Sequence, residues 1–145
     1  MSRHACAAAL ACIVLGLPAP ALAAGAEWWE VINESDGGGT MVVLADAASA
    51  RTVSPGVIET RFMNQVAVDG TTLGWVDARI QHDCAQGRMR VAHGVVYDGQ
   101  LKLVKRDDAG TEWAPLQAQD PTNLFVCKRE RAQFQKRATF KPPVG

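Results

Sequence analysis

The chain has 145 residues, with 15 lysines and arginines against 15 aspartates and glutamates. Global charge therefore names no partner and gives no reason to expect nucleic acid, while the length suits one ordinary domain with a modest core.

Met1-Ser2-Arg3-His4 is a short basic start, Ala5 to Leu17 is an apolar run, and Ala21-Leu22-Ala23 is a small-x-small cleavage site. This is the layout of a secretory signal peptide over 1–23, with a run too short to span a bilayer. A periplasmic or extracellular location is expected. Cys12 lies inside the apolar run, with Ile13-Val14-Leu15 still to come, so no lipid anchor is expected. Of 4 cysteines, Cys6 and Cys12 leave with the signal, and Cys84 and Cys127 remain. Two cysteines in an oxidising compartment read as one disulfide, closing a loop of about forty residues. Metal ligation is not expected: there is no Cys-x-x-Cys, and only His82 lies near Cys84.

Trp28 to Ile32 and Thr40 to Leu44 read as two strands joined through the turn Asp36-Gly37-Gly38-Gly39. Asp46 to Arg51 is small and polar, a connection with room for one helical turn. After Ser54-Pro55-Gly56, Val57 to Val68 reads as one long strand with a bulge near Asn64-Gln65. Asp69-Gly70 is a hairpin turn. Thr72 to Val76 and Ala78 to Cys84 follow as strand, with a break at Gly74 or Asp77. Arg88 to Tyr97 is another strand, and Asp98-Gly99 reads as a two-residue hairpin into a half-buried Gln100 to Lys105. Pro115 places Glu112 to Leu116 at a sheet edge or outside the sheet. Asp120-Pro121 is a helix start, with Asp as N-cap and Pro in the first helical position. The composition allows that helix to continue to Arg137, and Lys141 to Gly145 to trail off without structure. The expected fold is α+β: a curved antiparallel sheet of about six strands with a C-terminal helix tethered by the disulfide.

The ordered series Trp29-Glu30-Val31, Asp46-Ala47-Ala48-Ser49, Val57-Ile58-Glu59, Asp83-Cys84-Ala85, Arg88-Met89-Arg90, Tyr97-Asp98-Gly99, Trp113-Ala114-Pro115-Leu116 and Val126-Cys127 resembles the surface-adhesin protein E-like domain of Gram-negative bacteria. The resemblance implies a six-stranded antiparallel sheet with a helix tied on by a disulfide. It also implies binding of matrix proteins such as vitronectin and laminin, as the family's named lipoprotein does. The chain departs from that pattern in lacking a lipobox and in running past Cys127 into a basic segment. Its division is then 1–23 signal peptide, 24–131 adhesin E-like domain and 132–145 basic extension.

Candidate chemistry is sparse. His82 and His93, with Asp77, Asp83 or Asp98, could suggest acid–base work, but no nucleophile accompanies them and ordinary strand histidines are expected. Asp36-Gly37-Gly38-Gly39 has no Lys-Ser/Thr partner and is expected to be a turn, not a phosphate cradle. Trp28, Trp29, Trp75 and Trp113 are expected in packing rather than in a carbohydrate platform. The sharpest candidate is the basic set Lys128, Arg129, Arg131, Lys136, Arg137 and Lys141, suited to an anionic surface or partner, against a solvated helix face. The expected function is that of an exported, non-enzymatic, adhesin E-like binding protein of the cell envelope, without cofactor. Its partner would be an envelope or extracellular-matrix protein or an anionic surface. A periplasmic hydrolase inhibitor of the lysozyme-inhibitor kind, or a small enzyme, stays open as the alternative, as does dimerisation through a strand edge.

Overall fold

The computed structural model describes residues 25–144. The expected signal peptide and the lipid-anchor question at Cys12 lie outside the described residues. Eight strands form one antiparallel sheet: β1 (Trp28–Asp36), β2 (Gly39–Ser54), β3 (Val57–Val68), β4 (Thr71–Asp83), β5 (Arg88–Asp98), β6 (Leu103–Asp107), β7 (Ala114–Pro115) and β8 (Gln135–Lys136). One helix, α1 (Pro121–Val126), interrupts them. The spatial order is β6-β5-β4-β3-β2-β1-β8, and β7 pairs with β5. The architecture is thus mainly β. The α+β expectation is corrected in the number of strands and in the size of the helix, while the disulfide tether is present.

The first five strands are long hairpins, and local turn chemistry sets their register. Gly37 and Gly38 have φ of 54° and 87°, and Asp36 pairs with Gly39 across them. Such a two-residue turn needs positive φ at both positions, which glycine adopts without steric cost. Asp69-Gly70 closes β3 onto β4 in the same way, with Val68 opposite Thr71. Along each strand successive side chains point to opposite faces. Val31, Val43, Ala45, Phe62, Ala78 and Ile80 gather on one face, and Trp28, Leu44 and Met63 on the other.

Each face is then covered by a different part of the C-terminal region. Phe125 and Val126 of α1, with Phe134, close the first cluster. Phe140 and Val144 close the second. Between them the chain passes the β1 edge, where Gln135 and Lys136 pair with Glu30 and Trp29. The Arg137 N–H continues the ladder by donating to the Trp28 carbonyl at 2.8 Å. The far end is tied by Arg61, which forms an ion pair with Asp77 at 2.7 Å and donates to the Val144 carbonyl at 3.2 Å. Residues 132–144 are therefore woven into the same packing as the rest of the sheet. Phe140 meets Trp28 edge-on, ring centroids 5.3 Å apart, and Trp28 is only 2% exposed beneath it. Phe140→Ala is expected to lower stability by ~1–2 kcal/mol, since Phe140 is half-buried. The urea midpoint should fall at constant slope; an unchanged midpoint would show that the tail does not cover the sheet in solution.

Other expectations are revised by identifiable interactions. The segment expected as a connection after Asp46 is part of β2, with the register irregular between Asp46 and Arg51. Asp46 Oδ1 accepts from the Glu27 and Ala48 N–H groups, and Ser49 Oγ accepts from the Arg61 N–H while donating to the Asp46 carbonyl. These bonds replace ladder bonds and shape a bulge. The bulge expected near Asn64-Gln65 falls between Val66 and Ala67 instead. β4 runs without the expected break. A Cβ at Gly74 would stand 2.6 Å from the Tyr97 carbonyl, so the glycine permits close strand approach. Asp77 is neutralised by Arg61 on the next strand.

The two-residue hairpin at Asp98-Gly99 is replaced by a longer loop. Asp98 Oδ1 accepts from the Gln100 and Lys102 N–H groups, and Leu101 takes φ of 65°. β6 is not half-buried: Leu103 and Val104 are 52% and 63% exposed. α1 begins as expected, with Asp120 accepting from the Thr122 N–H at 2.8 Å and Pro121 in the first turn. It does not continue to Arg137 but ends at Val126, with Arg129 in a left-handed conformation, φ 55°. A longer helix would place Lys128, Arg129 and Ala132 on the face of Phe125, leaving no apolar stripe to bury. Nor do residues 141–144 trail off: Pro142 to Val144 are half-buried.

Candidate ligand site beside the disulfide clasp

The disulfide joins Cys84, just past β4, to Cys127, the C-cap of α1, with Cα atoms 5.5 Å apart. Next to it, His82 Nε2 lies 3.0 Å from Thr122 Oγ1, and the His82 ring packs at 5.9 Å from Phe62. The end of β4 is therefore joined to both ends of α1, to its start by a buried hydrogen bond and to its C-cap by a covalent bond. This fixes the chain that follows Cys127 against the β2 bulge.

Between the bulge and α1 lies a hollow of about 280 Å³. Its lining includes Ala47, Ala50 and Thr52 from β2, Ile58 and Thr60 from β3, Phe125 and Val126 from α1, and Arg129 and Arg131 from the segment beyond the clasp. The Arg131 guanidinium carbon lies 3.6 Å from the Phe125 ring centroid, and its Nη1 donates to the Phe125 and Glu130 carbonyls at 2.5 and 2.9 Å. Arg131 is half-buried and, among the described residues, forms no ion pair. Burial lowers its pKa from the ordinary arginine value; nearby Arg129 acts in the same direction and Glu27 opposes it. Thr60 is 1% exposed, and its hydroxyl makes no hydrogen bond among the described residues.

The basic residues anticipated from sequence do not form one patch. Lys128 and Arg129 are exposed and form no ion pair among the described residues, with Arg131 close behind them in the chain. Lys136 pairs with Glu27 at 3.1 Å and lies over the Trp29 ring. Arg137 pairs with Glu30, its Nε 2.9 Å from Oε2. Burial works against the Glu30 carboxylate, yet hydrogen bonds from Arg137 and Asn33 outweigh it and its pKa is lowered. Lys141 follows Phe140, which packs on the opposite face of the sheet from α1. The hollow itself has no signature in the sequence, because it arises where the β2 bulge meets the end of α1.

The histidines are separated in role. His82 is 0% exposed beside Phe62, whereas His93 sits at the surface with Nδ1 2.6 Å from Asp108 Oδ1. The tryptophans are likewise dispersed. Trp28 and Trp75 flank Phe140, Trp29 approaches Phe125, and Trp113 lies under Arg88 and Arg90 at 4.9 and 4.8 Å. Among the described residues no group of three or more His, Cys, Asp or Glu side chains is placed to hold a metal ion, and no helix is long and apolar enough to cross a membrane. Comparison with family models, with curated proteins and with solved structures finds no match.

Proposed function

We propose that this chain is an exported, non-enzymatic binding protein of the cell envelope, of the adhesin E-like type, and that it takes an anionic ligand at the cationic rim beyond Cys127. One observation carries the reading: Arg131 is half-buried on an aromatic face and, like Arg129 and Lys128 near it in the chain, has no carboxylate paired to it among the described residues. A cation taken partly out of water is normally matched by an anion, and among the described residues the carboxylate that acts on Arg131, Glu27, is ion-paired with Lys136 instead. The disulfide suits an oxidising compartment, and the signal-like start of the sequence points the same way.

The test is retention on immobilised heparin against rising salt. Truncation after Cys127 is unsuitable, because it would remove Phe134 and Phe140 from the packing. The double variant Lys128→Gln/Arg129→Gln changes only exposed side chains, and it should elute at clearly lower salt than the parent. Lys141→Gln, on the other side of the sheet, should elute with the parent. Unchanged elution of the double variant would remove the basis for the reading.

A further inference from the structure

We infer that the hollow between the β2 bulge and α1 is a binding site for a small carboxylate carrying a short apolar chain. This deepens the reading above by naming the ligand class. Two sets of groups converge there. The apolar set is Ile58, Phe125 and Val126, with the small side chain of Ala50. The polar set is Arg129, Arg131 and Thr60, the last almost wholly buried. Guanidinium groups suit carboxylates because their planar N–H fork matches two oxygens. Arg131 uses only Nη1 within the chain, so its Nε and Nη2 donors are uncommitted among the described residues. Thr60 adds a second observation of a different kind. A hydroxyl buried to 1% exposure without a partner is uncommon, and this one belongs to a residue lining the hollow.

The apolar part of the lining decides against a bare inorganic anion, which would leave those groups facing water or an ion. At about 280 Å³ the volume lies at the small end of ligand sites and decides against a long acyl chain. Arg51 also lines the hollow, but its guanidinium is held by Glu59 at 2.6 Å and takes no part.

The experiment is a ¹H–¹⁵N titration of the intact oxidised protein with sodium hexanoate, with hexanamide and sodium sulfate run in parallel. Hexanoate should produce saturable shifts confined to residues 47–52, 58–60 and 125–131. Hexanamide, isosteric but uncharged, should bind about tenfold more weakly or worse, and sulfate should give no saturable shift there. Ala50→Leu places an isobutyl group in the hollow from an exposed position, so the fold should survive while hexanoate binding is lost. Arg129→Gln should weaken binding about tenfold. Equal binding of hexanoate and hexanamide, or an unaffected Ala50→Leu variant, overturns the inference. If hexanoate shifts nothing while heparin retention still depends on Lys128 and Arg129, the inference fails and the broader reading stands. If both are absent, both fall.

Discussion

Replacing Cys84 and Cys127 together by serine is expected to destabilise the protein by about 4 kcal/mol. The bond joins residues separated by 43 positions, and on the chain-entropy account that loop restricts the unfolded ensemble to this extent. The loss should be concentrated. α1 has six residues, far below the length at which a helix persists alone in water. Its remaining attachments include the Asp120 cap, the Asn123 amide bonds to the Gln117 and Ala118 carbonyls, the contact between His82 and Thr122, and the packing of Phe125 and Val126. Native-state hydrogen exchange should therefore show residues 122–131 opening first, with β2–β4 protected until global unfolding. Denaturant unfolding of the double variant beside the oxidised parent measures the total. An unchanged midpoint would mean that the bond constrains little and that the helix is held by packing alone.

Acid should loosen the same junction, for a separate reason. Thr122 Oγ1 lies 2.6 Å from Asp120 Oδ1 and donates its single proton there, so it can only accept from His82. His82 is then neutral, protonated at Nε2, and its Nδ1 is buried without a partner. A second proton would have to enter at Nδ1 with no acceptor. Burial accordingly pushes the pKa from 6.5 down to about 4, with Asp120 opposing only in part. The folded pKa lies below the unfolded one, so the unfolded chain binds the proton first as pH falls. The contribution is complete above about pH 6.5 and lost between there and about 4, amounting to about 3 kcal/mol.

Carboxylates act in a different window. Hydrogen bonds from Trp29 and Lys136 lower the Glu27 pKa from 4.5, and hydrogen bonds from Gln81 and Arg51 lower that of Glu59 against the effect of burial. Their contribution is present above their ordinary value and lost as pH falls through the lowered one. Denaturant midpoints across pH 7 to 4 should fall for the parent and stay nearly level for His82→Gln, which removes the titrating group. Parallel curves for the two proteins would assign the acid sensitivity elsewhere.

What could be read in advance depended on how local the cause was. Val57–Val68 announces itself through β-branched and aromatic residues after a Pro-Gly turn, and Asp120-Pro121 carries its own cap and first turn. The disulfide followed from counting cysteines. By contrast, Gln135–Lys136 is a strand of two polar residues whose only cause is the free edge of β1. Backbone pairing of that kind leaves no pattern in side chains. Propensity alone runs past the end of α1, because charged residues are good helix formers whether or not they supply the apolar stripe a buried helix requires. The loop after Asp98 departs from the expected hairpin because one carboxylate recruits two N–H groups and overrides a familiar turn dipeptide. Arg129 and Arg131 were visible as charges, but Thr60 looked like any strand threonine. Its meaning depends on what it fails to touch.

The path of residues 134–144 also imposes an order in time. Trp29 pairs with Lys136, and the two hydrophobic clusters are closed by Phe134 on one face and by Phe140 and Val144 on the other. A chain emerging from its N-terminus can form the β1–β5 hairpins early, each from neighbouring segments. The first layer of the core is not finished until Phe134 has docked, and the second not until Phe140 and Val144 have. Contacts that span nearly the whole sequence are also the slowest to form. Completion of the fold is thereby deferred to the docking of residues 134–144, all of which lie beyond both cysteines of the disulfide.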